Sequence, residues 1–202
     1  SISAVDFRPP QMTDESMIPN LEFKRKDDIY GYTKLLSENE LKEMAGDMRV
    51  IILNPSVILG PGSERVEMIV KAVRKMPFLP TMDYVNAFVD VRDVARAVTL
   101  ALTKGRSGER YIVSSHNASM VDFTREVVKH INDNLRVIKL SPFGLSLMDG
   151  FVSMLDFLHL NPGVRRPSQM NIDKPCSYEK IKREMNWEPT FTLEQSIVDS
   201  IK

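Results

Sequence analysis

The sequence predicts an α/β fold with a largely parallel sheet. Three observations predict it. Short β-branched runs such as Arg49 to Leu53 alternate with stretches of helical length. The joints between them carry loop signals, Asn54-Pro55 and Gly60-Pro61-Gly62. Helix-capping side chains, Ser119 with Asp122 and Thr192 with Gln195, stand ahead of later helical stretches.

In chain order, Ser1 to Val5 reads as a short strand, followed by a polar, Pro-containing loop to about residue 27. A helix runs from about 29 to 46 and ends near Gly46. Arg49 to Leu53 is a strand suited to burial on both faces. A helix at about 64–75 stops before Pro77, and Asn86 to Val91 is a strand. The helix at about 91–104 closes on Gly105, read as a C′ glycine. Tyr111 to Ser114 is a strand, a helix follows to about 132, and Leu135 to Leu140 is a strand. A long helix covers about 144–160. Its apolar residues run all round, which reads as a buried or pocket-wall helix rather than an ordinary surface one. Ser177 caps a short helix at 178–185, and Thr192 opens the last helix.

Composition narrows the classes. The 202 residues carry 27 basic and 27 acidic side chains, so the formal net charge is zero. That argues against a nucleic-acid binder that relies on a broad basic surface. A single Cys cannot form an intramolecular disulfide, and a cytoplasmic, reducing setting is expected. No run of about 18 apolar residues is present, so no transmembrane helix is expected. The nine glycines form neither G-x-G-x-x-G nor a phosphate-binding P-loop.

The chemistry concentrates in Asp28-Ile29-Tyr30-Gly31-Tyr32-Thr33-Lys34-Leu35-Leu36-Ser37-Glu38. Tyr30 and Lys34 are spaced i, i+4, which places both on one helix face a turn apart. A phenol, with a pKa of about 10, is a poor base at neutral pH. A neighbouring ammonium stabilises the phenolate, and such a pair can move a proton to or from a hydroxyl or carbonyl. The same spacing also describes a half-exposed helix face with no chemistry.

The neighbours come in an order. Ser1-Ile2-Ser3-Ala4-Val5 lies upstream. Asn54-Pro55-Ser56-Val57-Ile58-Leu59-Gly60-Pro61-Gly62, then Phe88 to Ala97, then Asn186-Trp187-Glu188-Pro189 lie downstream. This set resembles the extended short-chain dehydrogenase/reductase family, the NAD-dependent epimerase/dehydratase and dihydroflavonol-reductase-like group. The resemblance spans nearly the whole chain but only the later part of that family's fold. It implies the second half of a Rossmann-type parallel sheet with a small C-terminal substrate-binding lobe. Residues 1–60 and 86–115 would belong to the NAD(P)-binding domain, and 61–85 and 116–202 to the lobe. A Gly commonly stands where this chain has Asn186.

The resemblance implies roles. Tyr30 would be the general acid/base and also a cofactor contact, and Lys34 its electrostatic partner and a ribose contact. Ser1 would orient the reacting oxygen, with Ser3 as the alternative on the substrate side. Pro55, Ser56 and Val57 would line the nicotinamide side of an NAD or NADP site. Arg165 and Arg166 could hold an anionic substrate or form a plain surface pair. The family's Gly-rich turn would precede residue 1. A homodimer through the Tyr30 helix is the family's expectation. The implied function is an NAD(P)-dependent oxidoreductase acting on a carbonyl or hydroxyl carbon of a small molecule, as a ketone reductase or as a nucleotide-sugar epimerase or dehydratase. The alternative is a non-catalytic chain that binds a ligand or partner without turnover.

Other candidates read as structural. Asp90 and Asp93 sit at a strand-to-helix junction, where a carboxylate suits the helix dipole. His116, His130 and His159 show no ligand spacing, and no metal is expected. Cys176 reads as an inert thiol.

Overall fold

The computed structural model describes residues 1–7, 11–17, 19, 28–158 and 172–202. The expected strand at 1–5 is instead a 3-10 turn over Ile2–Ala4. The Ser1 hydroxyl accepts the Ser3 N–H, and Ala4 N–H and Val5 N–H donate to the carbonyls of Ser1 and Ile2. Those i to i+3 bonds curl the segment, and Ile2, Ala4 and Val5 are all buried, so no strand-like alternation survives.

Helix α1 (Ile29–Glu43) follows, capped by the Asp28 carboxylate on Gly31 N–H at 3.0 Å. Gly31 is required by space: a Cβ there would strike the Ser3 carbonyl and the Asp28 carboxylate. This missing side chain lets α1 lie directly on the Ser1 segment. Strands β1 (Ile52–Pro55) and β2 (Val57–Leu59) are separated only by Ser56. Helix α2 (Glu64–Val73), strands β3 (Phe78–Thr81) and β4 (Val85–Asp90), and helix α3 (Val91–Lys104) come next. Gly105 ends α3 in an extended conformation, with φ −64° and ψ 145°, rather than as a left-handed C′ glycine. It is glycine for room, because a Cβ would lie 2.8 Å from the Ala101 carbonyl oxygen and 3.0 Å from Ile51 Cδ1.

Strands β5 (Arg110–Val113) and β6 (His116–Ser119), helix α4 (Met120–Lys129) and strand β7 (Arg136–Lys139) complete the sheet elements. Helices α5 (Pro142–Phe157), α6 (Glu179–Met185) and α7 (Leu193–Ile201) end the chain. Pairing is mostly parallel: β1 with β5, β2 with β4, and β3 with β7. β6 runs antiparallel on β4. Pairing partners therefore change at Ser56 between β1 and β2, and at Ser114-Ser115 between β5 and β6.

Two main cores hold these layers. Leu59, Phe88, Phe123, Val127 and Ile197 pack β2, β4, α4 and α7 together, with Phe88 and Phe123 stacked at 4.5 Å. Val89, Ala97, Tyr111, Ile181 and Trp187 pack β4, α3, β5 and α6 together. Helix α5 departs from expectation. Only Val152 is buried along it, while Phe143, Leu147, Phe151 and Phe157 are exposed.

Candidate active site

Tyr30, Lys34 and Glu38 form one stripe along α1, at successive i+4 steps. Tyr30 is 51% exposed, and the Lys34 ammonium sits 5.5 Å from its ring centroid. Glu38 is buried beneath them. Its Oε1 accepts Asn54 Nδ2 at 2.6 Å, and its Oε2 pairs with Arg110 Nη2 at 2.7 Å. Asn54 Nδ2 also donates to the Ser1 carbonyl at 2.9 Å. Buried polar groups are costly unless paired, so this network fixes the relative positions of α1, the Ser1 segment, β1 and β5. Lys34, Glu38 and Arg110 all lie within electrostatic range of the Ser1 backbone nitrogen. Sequence reasoning placed Glu38 and Asn54 among the motif residues without giving them a role, and it missed Arg110. The i+4 continuation from Lys34 was a signal for Glu38, but nothing local pointed to Arg110.

The remaining candidates fall into three groups. Ser1 caps the 3-10 turn, and Ser3 presents its carbonyl to Gly31. Pro55 ends β1 opposite Val113, Ser56 N–H donates to the Val113 carbonyl at 3.0 Å, and Val57 begins β2 opposite Phe88. Arg165 and Arg166 lie outside the described residues, as does His159.

The hydroxyl of Ser56 is buried with no hydrogen-bond partner among the described residues, and so is that of Ser114. These two residues occupy the next register position after Pro55 and Val113, at the carboxyl ends of a parallel strand pair. An unpaired buried hydroxyl costs free energy, and strand carboxyl ends are where α/β sheets hold ligands. An open cleft of about 690 Å³ adjoins this edge, lined by Val57, Gly60, Gly62, Glu64, Met68 and Val91.

The acids at the strand-to-helix junction are engaged elsewhere. Asp90 caps α3 through Arg92 N–H, pairs with the Arg92 guanidinium at 2.8 Å and accepts the Ser196 hydroxyl at 2.7 Å. Burial alone would raise its carboxyl, but the Arg92 and Ser196 bonds outweigh that and hold it below the ordinary value. Asp93 is fully buried. It accepts Thr190 N–H, the Thr190 hydroxyl, Phe191 N–H and Arg96 Nη1. Burial pushes the Cys176 thiol up to about 12, which leaves it unreactive at neutral pH.

A model of the NAD-dependent epimerase/dehydratase family matches residues 3–114, more than half of the chain. The chain belongs to that family. The match contains Tyr30, Lys34 and Pro55 to Val57. Family membership agrees with the Rossmann-type α/β architecture, and the family is NAD dependent.

Among curated relatives, the sterol demethylase protein B of Methylococcus capsulatus is 27% identical over 81% of this chain and 52% of its own length. The dTDP-glucose 4,6-dehydratase of Haemophilus influenzae is 29% identical over 64% of this chain and 35% of its own. Cinnamoyl-CoA reductase 1 of Arabidopsis thaliana is 31% identical over 56% and 36%. The chain thus spans about half, or about a third, of the curated relatives it matches. A nucleoside-diphosphate-sugar epimerase structure from Pseudomonas aeruginosa aligns with TM-score 0.76 at 20% identity, over 98% of this chain and 62% of that one. The NADPH complex of RMD from the same organism aligns with TM-score 0.68 at 20% identity, over 96% and 60%. No described helix is long and apolar enough to cross a membrane.

Proposed function

We propose that this protein is an NAD(P)-dependent oxidoreductase acting on a carbonyl or hydroxyl carbon of a small molecule. In this reading it is a ketone reductase or a nucleotide-sugar epimerase or dehydratase, with Tyr30 moving the proton. The observation that carries the reading is the Tyr30–Lys34 pair, half-exposed on α1 above the buried Glu38–Asn54–Arg110 network. Relatives named as a dehydratase and as a reductase support both branches.

Tyr30 Oη would give its proton to a substrate carbonyl oxygen, or take it from a hydroxyl in the reverse direction. Lys34 supplies the positive charge beside the phenolate that forms. Ser1 Oγ accepts the Ser3 N–H, so its own O–H is the group that would orient the reacting oxygen, with Ser3 as the alternative on the substrate side. A bound nicotinamide supplies hydride transfer. The residues fit its ribose and ring end: Lys34 lies exposed for a ribose, and the orphaned Ser56 hydroxyl lies between Pro55 and Val57. The cofactor domain in this reading comprises 1–60 and 86–115, and the substrate lobe 61–85 and 116–202, with Arg165 and Arg166 available for an anionic group. Exposed Leu36 and Leu41 on α1, with Met44 at its C-cap, support a homodimer through that helix.

Calorimetric titration with NADH and NADPH tests the cofactor site. Submillimolar binding of either is expected. Such binding would undermine the alternative of a chain that holds a ligand or partner without turnover, and absence of binding by both would show that these 202 residues alone are inactive.

A further inference from the structure

Three ligand-type side chains meet where the end of α4 faces the start of α7. Glu126 and His130 stand at i, i+4 on α4 and its C-terminal cap, and Glu194 is near the start of α7. One ligand atom from each lies within 4.8 Å of the others. His130 Nε2 is 3.1 Å from Glu126 Oε1 and 3.9 Å from Glu194 Oε1.

We infer that Glu126, His130 and Glu194 form a site for a zinc-class divalent cation that clasps α4 to α7. A tetrahedral ion with bonds of about 2.0–2.2 Å places its ligand atoms about 3.4 Å apart, close to both His130 distances. One imidazole nitrogen and two carboxylate oxygens are a zinc set, with water as the fourth ligand. Magnesium prefers six oxygens and suits the site poorly. Glu194 has the solvent-exposed side chain and can swing the few tenths of an ångström needed.

The chain already keeps a cation here. Lys129 Nζ lies 3.1 Å from Glu126 and 4.0 Å from Glu194. Its ammonium balances the carboxylates in the metal-free protein, and a divalent ion takes its place. The helices to be joined share a core, since Phe123 and Val127 of α4 pack with Ile197 of α7. A metal bridge at their exposed ends would tie down the last helix of the chain. Cysteine and histidine spacing could not show this site, because Glu194 is brought to the other two only by the fold.

The test is calorimetric titration of the chelator-stripped protein with ZnCl2, with MgCl2 as control. One zinc per chain is expected, with weaker magnesium binding. His130→Ala and Glu194→Gln should each weaken zinc by at least about tenfold, and Lys129→Met should tighten it. Thermal unfolding gives the second readout. With zinc at 100 times its Kd, the unfolded fraction should fall about 100-fold, in the wild type and not in the two ligand variants. Unfolding midpoints without zinc establish that the variants fold. Absence of saturable zinc binding overturns the site, as does binding that either ligand variant leaves unchanged. A Lys129→Met protein that binds no more tightly contradicts the exchange of ammonium for metal.

Discussion

The Tyr30 stripe and the Asp93 junction are both polar, both close to strand ends, and built in opposite ways. At Asp93, the carboxylate is wholly enclosed and accepts four donors. The Asp93 carbonyl also takes the Trp187 indole N–H at 3.0 Å. At the stripe, Glu38 is paired with Asn54 and Arg110, yet Tyr30 and Lys34 project outward, and Asn54 Oδ1 and two nearby strand-end hydroxyls have no partner among the described residues. Satisfied polar groups hold a fold together. Polar groups kept exposed or orphaned at a rigid edge are poised for something that is not protein. The difference separates Asp90 and Asp93, whose structural reading in the sequence agrees with their full sets of partners, from the Tyr30–Lys34 pair on which the proposed function rests.

Substitutions can break or sharpen that contrast. Trp187→Ala empties the centre of one core and should destabilise the protein by about 3–5 kcal/mol, read as a shift in urea midpoint, while nicotinamide affinity per folded molecule stays unchanged. Asp93→Ala strands the Thr190 and Phe191 N–H groups and removes the ion-pair partner of Arg96. It should cost about 3 kcal/mol or more, read in the same way. Asn186→Ala should cost about 1–2 kcal/mol, because Asn186 holds φ 56° at the end of α6. Asn186→Gly should be close to neutral, both read as shifts in urea midpoint.

The smallest effect is in pH. The Asp90 carboxyl is held below its ordinary value, so its contribution is present above the unfolded pKa of about 3.9 and is lost as pH falls through the lower folded value. Urea midpoints should therefore fall on acidification below about pH 4, and Asp90→Asn should flatten that portion of the curve.

The sequence carried the long elements well. The helices starting at Ile29, Glu64, Val91 and Leu193 follow periodicity and capping, and the Thr192–Gln195 capping box forms with both bonds. It missed β2, β3 and β6, strands of three or four residues. β2 is only three residues long, β3 contains Pro80 and β6 the polar His116 and Asn117, and all three pair because a neighbouring strand offers a ladder. It also read the Ser1 segment as a strand, where capping by Ser1 and burial of Ile2, Ala4 and Val5 favour a turn. Asn186 was visible as a departure from the family's glycine, and the left-handed backbone explains why the next most tolerant residue serves there. Within the site, the Tyr30–Lys34 proximity was legible from i+4 spacing alone. The Arg110 partner of Glu38 was not, because only tertiary pairing of β1 with β5 brings it close.

The central claim is that Tyr30 is a proton-transfer group on an otherwise settled scaffold. The measurement that tests it most directly is steady-state turnover of Tyr30→Phe, followed at the nicotinamide absorbance with a carbonyl or nucleotide-sugar substrate that the wild type converts. The account predicts a fall in kcat of about 10²–10⁴-fold, with the thermal midpoint unchanged. Full turnover in that variant would contradict it.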